Sequence, residues 1–132
     1  MNIIHGIVSD LHTEQNLSLV SVTTQDIVLT AVVIDTPQTS PYLRLKQPVK
    51  VLFKETEVII SKAANPDISL RNQVSGKINA IQSGEILSKV TLNTHIGNII
   101  SIITTKVVNS LQLKIGDKAT VMIKTNEVML SK

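Results

Sequence analysis

VLFKETEVIISK (51–62) and VMIKTNEVMLSK (121–132) are two versions of one segment. Slid by 70 residues, the chain aligns with itself without a gap from Asn2/Asn72 to Lys62/Lys132. Gly6 falls on Gly76, Leu17-Ser18 on Leu87-Ser88, Val20 on Val90, Ser40 on Ser110 and Leu43 on Leu113. An internal repeat of this kind sets the unit of folding before any other signal is weighed. A unit of about 60 residues buries a modest share of its surface and is marginal alone. The chain has no cysteine, so neither a disulfide nor a thiolate metal site can stabilise it. The two units are therefore expected to pack on each other and on further copies.

Each repeat is rich in Val, Ile and Thr, in short apolar or alternating runs separated by polar punctuation, which is the pattern of strands. The second half reads as strands near 74–82, 86–93, 98–105, 119–124 and 127–131, and the first half as equivalents at 4–12, 16–23, 27–34, 49–54 and 57–61. Between the third and fourth strands of the second half, KVVNSLQLKIGD (106–117) fits one or two helical turns, with Gly116-Asp117 as stop and turn. The matching TPQTSPYLRLKQP (36–48) carries three prolines, which disfavour a regular helix. Five strands with a helical turn between the third and fourth is the order of a small OB-like barrel. The expected fold is thus all-β: two tandem five-stranded OB-like β-barrel modules. The first spans 1–62, a linker around Pro66 spans 63–67, and the second spans 68–132.

Composition narrows the function. The formal net charge is +3, with Lys and Arg scattered, and Tyr42 and Phe53 are the only aromatics. Single-strand nucleic-acid binding needs stacking platforms beside a basic groove, so no nucleic-acid partner is expected. MNIIHGIVSD lacks the basic start and apolar stretch of a signal peptide. No apolar run approaches the ~18 residues of a membrane span. The expectation is a soluble cytoplasmic protein without a membrane partner. His5, His12 and His95 have no carboxylate at metal-ligand spacing, and no nucleophile stands with an oriented base, so neither a metal site nor an enzyme is expected. Glu57 and Glu127, at equivalent places in the repeats, read as surface residues.

The most specific string is ISLRNQVSGKI (68–78). Ser69, Arg71, Asn72, Gly76, Lys77 and Ile78 resemble the opening of the molybdate-binding mop domain, also called TOBE or molbindin. The resemblance continues through IITT (102–105), LQLKIGDKATVMIK (111–124) and EVMLSK (127–132). The two-repeat chain resembles the tandem di-mop arrangement. By this resemblance an oxyanion, molybdate or tungstate, sits between two domains. One side supplies Ser69, Arg71 and Lys124. The other supplies hydroxyls and backbone N–H groups from the loop entering the short helix, at Thr104, Thr105 and Lys106. The resemblance also implies a homotrimer with pseudo-sixfold symmetry, its sites at interfaces, and a role in storing the anion. A ligand-sensing module acting in trans on a transporter or regulator, or a purely structural module, is the alternative.

Physical chemistry agrees with these residue types. Molybdate is a tetrahedral dianion with four acceptor oxygens and no proton at neutral pH, so it suits a site made only of donors. Arg offers a rigid fork to two oxygens, and Lys a compact charge. Without the resemblance, Ser69 and Asn72 would read as turn caps, and Arg71 and Lys124 as solvated charges. The first repeat departs from the pattern. Arg71 falls on Met1, Thr104 on Ile34, Thr105 on Asp35 and Val107 on Pro37, while Lys54 survives opposite Lys124. An aspartate beside a dianion is repulsive, so the first repeat is expected to be a degenerate partner.

Overall fold

The computed structural model describes residues 1–132. It has ten strands: β1 Asn2–Glu14, β2 Leu17–Thr24, β3 Ile27–Val33, β4 Pro48–Phe53, β5 Ile59–Ser61, β6 Asn72–Ser83, β7 Leu87–Thr94, β8 Gly97–Thr104, β9 Lys118–Ile123 and β10 Met129–Ser131. One helix, α1 Thr105–Ser110, follows β8, and 3-10 turns at Glu55–Glu57 and Thr125–Glu127 precede β5 and β10. Residues 57–58 and 127–128, expected in the closing strands, belong instead to these turns and their caps. Residues 36–47 form turns and no helix, and Pro48 opens β4.

Burial follows the alternation read from the sequence. In β6 the side chains of Val74 and Ile78 are buried while Ser75 and Lys77 face out, and β2 buries Ser18, Val20, Val22 and Thr24. The long first strand of each repeat carries one unpaired residue in its ladder with the next strand, Ser9 between Val8 and Asp10 and Asn79 between Ile78 and Ala80. Such a bulge bends a strand and increases its twist, which lets a 12- or 13-residue strand serve a curled sheet.

The sheets do not respect the repeat boundary. Their orders are β10-β4-β1-β2-β3 and β5-β9-β6-β7-β8. β10, from the second repeat, pairs with β4 (Leu130 opposite Val51), and β5, from the first, pairs with β9 (Ile60 opposite Val121). The repeats thus exchange their closing strands. Each sheet curls until the exchanged strand approaches the third strand of that sheet, giving a partly open OB-like barrel. Val58 and Val128, carried across at the start of each exchange, join one hydrophobic core that runs through both barrels with Phe53, Leu43, Ile99 and Val121.

Two local features differ from the sequence reading. The helix does not stop at Gly116. It ends at Ser110, where Gln112 adopts φ 51°, Leu113 N–H donates to Val108 O at 3.0 Å, and Gln112 N–H donates to Asn109 O at 3.1 Å. This is a Schellman closure made by a glutamine. Gly116, at φ 96°, serves the turn before β9, where its N–H donates to Ile78 O at 2.7 Å.

Gly76 is required for a different reason. A Cβ there would lie 2.8 Å from Asn93 O and 2.8 Å from Thr94 Cγ2 on the adjacent strand. A backbone carbonyl in a ladder cannot retreat cheaply. Gly76→Ala should therefore destabilise the fold by about 1–3 kcal/mol, read as a lower urea midpoint with an unchanged slope.

Candidate functional site

Ser69, Arg71 and Lys124, singled out in the second repeat by the resemblance, lie at or near one end of the β6–β9 ladder. Asn72 pairs with Ile123 at that end, so Arg71 and Lys124 stand one step beyond, on neighbouring strands. Both are exposed, and neither forms an ion pair. Lys124 caps the Thr125–Glu127 turn through its backbone, leaving its side chain unused by the cap. Ser69 lies in the exposed bend leading into β6. That bend is fixed by Gln73, whose Nε2 donates to Pro66 O at 3.1 Å and Leu70 O at 2.9 Å. Arg71 and Lys124 therefore stand side by side beyond one ladder end, with Ser69 two residues before Arg71 along the chain.

Asn72 has a role that the sequence reading missed. It is 1% exposed, and its amide makes both bonds of a ladder partner: Nδ2 donates to Thr30 O at 2.8 Å, and Oδ1 accepts from Thr30 N–H at 2.7 Å. Thr30 lies on β3 of the first repeat. Asn2 repeats the clamp on β8, donating to Ile100 O at 2.8 Å and accepting from Ile100 N–H at 2.9 Å. Each asparagine thus satisfies the outer edge of the other repeat's third strand, an edge otherwise open to mispairing. The available signal was that Asn2/Asn72 opens the gapless self-alignment.

The helix-entry residues sit elsewhere. Thr104 ends β8 and caps α1, its Oγ1 accepting from Val107 N–H at 3.3 Å. The Thr105 hydroxyl donates to Gly84 O at 2.8 Å and lies 2.8 Å from Ser88 Oγ, so it is engaged within the second barrel. Thr105 N–H donates to Ile86 O at 2.9 Å. Less of the helix entry is free for a ligand than the sequence implies.

Within one chain the two sets of residues do not meet. The Thr125–Glu127 turn beside Lys124 packs on β3 of the first repeat. The Glu55–Glu57 turn beside Lys54 packs on β8, the strand that ends at Thr104. Lys54 borders a recess of about 200 Å³ with Glu55, Thr56 and Ile102. The Glu55 carboxylate there replaces Thr125 of the second repeat. The first repeat therefore sets an acid beside its surviving lysine, and Asp35 follows its third strand where the second repeat has Thr105.

Comparison with known proteins follows this division. A TOBE domain model matches residues 68–130. Molybdenum-pterin-binding protein 1 of Clostridium pasteurianum is 41% identical over 64 residues, which make up 48% of this chain and 94% of that protein. The chain belongs to the TOBE family. The molybdenum transport protein ModE of Herbaspirillum seropedicae is 38% identical over 63 residues, 47% of this chain and 23% of ModE, so this TOBE chain spans under a quarter of that relative. The tandem is matched as a whole by the cytoplasmic molybdate-binding protein ModG, in a crystal form with molybdate bound. That likeness has 27% identity and a TM-score of 0.89, and covers 98% of this chain and 94% of ModG. The expectation of an all-β fold of two tandem five-stranded OB-like barrels is thus met along the full chain, with the TOBE match itself confined to the second half.

Proposed function

We propose that this protein binds molybdate, or the isosteric tungstate, reversibly and without catalysis, and holds it in the cytoplasm as a store. The observation that carries this reading is that Arg71 and Lys124 stand side by side beyond one ladder end, with Ser69 two residues before Arg71 in the chain and no carboxylate paired to either cation. It stands in a chain whose whole length aligns with a molybdate-binding protein. A fully ionised tetrahedral dianion accepts at every oxygen, so a set of donors leaves nothing unmatched. Phosphate retains a proton near neutral pH and would turn a donor against donors. Charge-assisted hydrogen bonds contribute roughly 1.5–3 kcal/mol each, and several of them hold a dianion at micromolar levels.

Oligomerisation completes the site in this reading. The turn after Lys124 packs on the first repeat's third strand, while Thr104 and Thr105 stand at the end of β8, the strand on which the turn after Lys54 packs. A trimer of tandem repeats would bring Thr104 and Thr105 of one copy to Ser69, Arg71 and Lys124 of another. Lys54, set beside Glu55, contributes weakly. The number of bound anions should therefore track the signature-bearing repeats and not the total number of repeats.

Thermal melting of the full chain with molybdate, tungstate, sulfate and phosphate tests the proposal, together with molybdenum analysis after dialysis. A ligand bound only by the native state at a hundred times its Kd adds about 2.7 kcal/mol of stability. A marked rise with molybdate and tungstate, and a smaller one with sulfate and phosphate, is expected. A melting temperature unmoved by millimolar molybdate would overturn the storage reading.

A further inference from the structure

At the opposite end of the β6–β9 ladder from Arg71 and Lys124, the last pair is Lys77 opposite Lys118. Like charges directly opposite on paired strands repel and destabilise the pair. No carboxylate forms an ion pair with either lysine. The fold does not require them, since Ile7 and Pro48 occupy the equivalent positions in the first repeat. Both line a cavity of about 360 Å³ together with Lys62, His95 and Thr120, and no Asp or Glu contributes to its wall.

The wall is fixed. Thr120 Oγ1 donates to Ala63 O at 3.0 Å, pinning the start of the linker over the sheet, and Lys62 Nζ is anchored on Leu111 O at 3.0 Å. His95 is held from the first repeat by Asp26, with Nε2 and Oδ1 2.6 Å apart. A cavity of this volume exceeds what a tetrahedral oxyanion needs and falls within the range of small-molecule sites, about 300–1,000 Å³.

We propose that this cavity is a second anion site, separate from the molybdate site, and that it takes a small molecule carrying two adjacent phosphate groups. Lys77 and Lys118 answer the two phosphates, Lys62 adds a third positive charge at the linker, and the anion relieves the repulsion between the cross-strand lysines. Binding of this kind weakens as salt screens the charges.

Titration calorimetry of the full chain with inorganic pyrophosphate, orthophosphate and molybdate tests the assignment on wild type, Lys118→Gln, Lys77→Gln and Arg71→Ala. Pyrophosphate is expected to bind wild type more tightly than orthophosphate does. Either glutamine variant should weaken pyrophosphate binding by about tenfold or more, the loss expected of one charge-assisted contact, while molybdate binding stays at the wild-type level. Neither variant should melt lower than wild type without ligand, because each removes a like-charge contact. Arg71→Ala should bind pyrophosphate as wild type does. Absence of pyrophosphate binding at millimolar concentration, wild-type binding by both glutamine variants, or loss of pyrophosphate binding in Arg71→Ala would each overturn the proposal.

Discussion

Asn72→Ala should lower the free energy of unfolding by about 2–5 kcal/mol, read in a urea titration against wild type. The expectation follows from what the truncation leaves behind. The Asn72 amide supplies both hydrogen bonds to Thr30 on the outer edge of β3, at 2.7 and 2.8 Å, in a place where Asn72 itself is 1% exposed. Alanine would strand a buried backbone N–H and a buried C=O, each costing about 1–3 kcal/mol. That is a large part of the 5–15 kcal/mol typical of a whole domain. Asn72→Asp is the sharper control. It preserves shape and the acceptor for Thr30 N–H, yet turns a carboxylate oxygen on Thr30 O and buries a charge, so it should be at least as damaging. A loss below about 0.5 kcal/mol in both variants, the scale of an ordinary surface change, would mean that the clamp contributes nothing.

Arg71→Ala, one residue earlier, should behave in the opposite way. Arg71 is exposed and lacks an ion-pair partner, so its removal should change stability without ligand by no more than about 0.5 kcal/mol. With molybdate present the variant should lose most of the thermal shift. A guanidinium making a two-pronged contact contributes about 2–4 kcal/mol to binding a dianion, equivalent to a Kd weaker by roughly thirty- to a thousandfold. Arg71→Lys keeps the charge but not the fork, and should recover only part of the response. A full molybdate response from Arg71→Ala would place the anion elsewhere. Neighbouring residues of one motif therefore divide its tasks: Asn72 holds the repeats together, and Arg71 is left free for a ligand.

The strands were legible because a half-buried strand writes its exposure into alternate residues, as Val74, Ile78 and Lys77 do. The helix end was misplaced because Gln112 took the left-handed position that a glycine usually signals. The destination of the closing strands was not legible. Ile59–Ser61 and Met129–Ser131 present nearly the same residues, so local pattern fits either barrel equally well. The choice depends on the direction in which the 3-10 turns release the chain, a long-range geometric property. At the site, motif spacing singled out Ser69, Arg71 and Lys124, of which the ladder places Arg71 and Lys124 side by side just beyond its Asn72–Ile123 end. It could not show that the Thr105 hydroxyl is turned onto Gly84, since a hydroxyl's partner is set by the fold around it.

The strand exchange also bears on why the two halves are free to diverge. A polypeptide containing one repeat could fill the fifth position of its barrel only with its own last strand or with one from a separate molecule, at a rate set by concentration. Joined through 62–71, each barrel always has its donor within reach, at the high effective concentration of a short linker. Covalent linkage then guarantees that every assembled pair holds one copy of each kind. A change in the first half, such as Glu55 or Asp35, is never doubled by meeting itself, and the half that carries Ser69 and Arg71 is never diluted out. The exchange makes this chain a heterodimer encoded as a monomer, in which either half is free to change without losing the partner that closes its barrel.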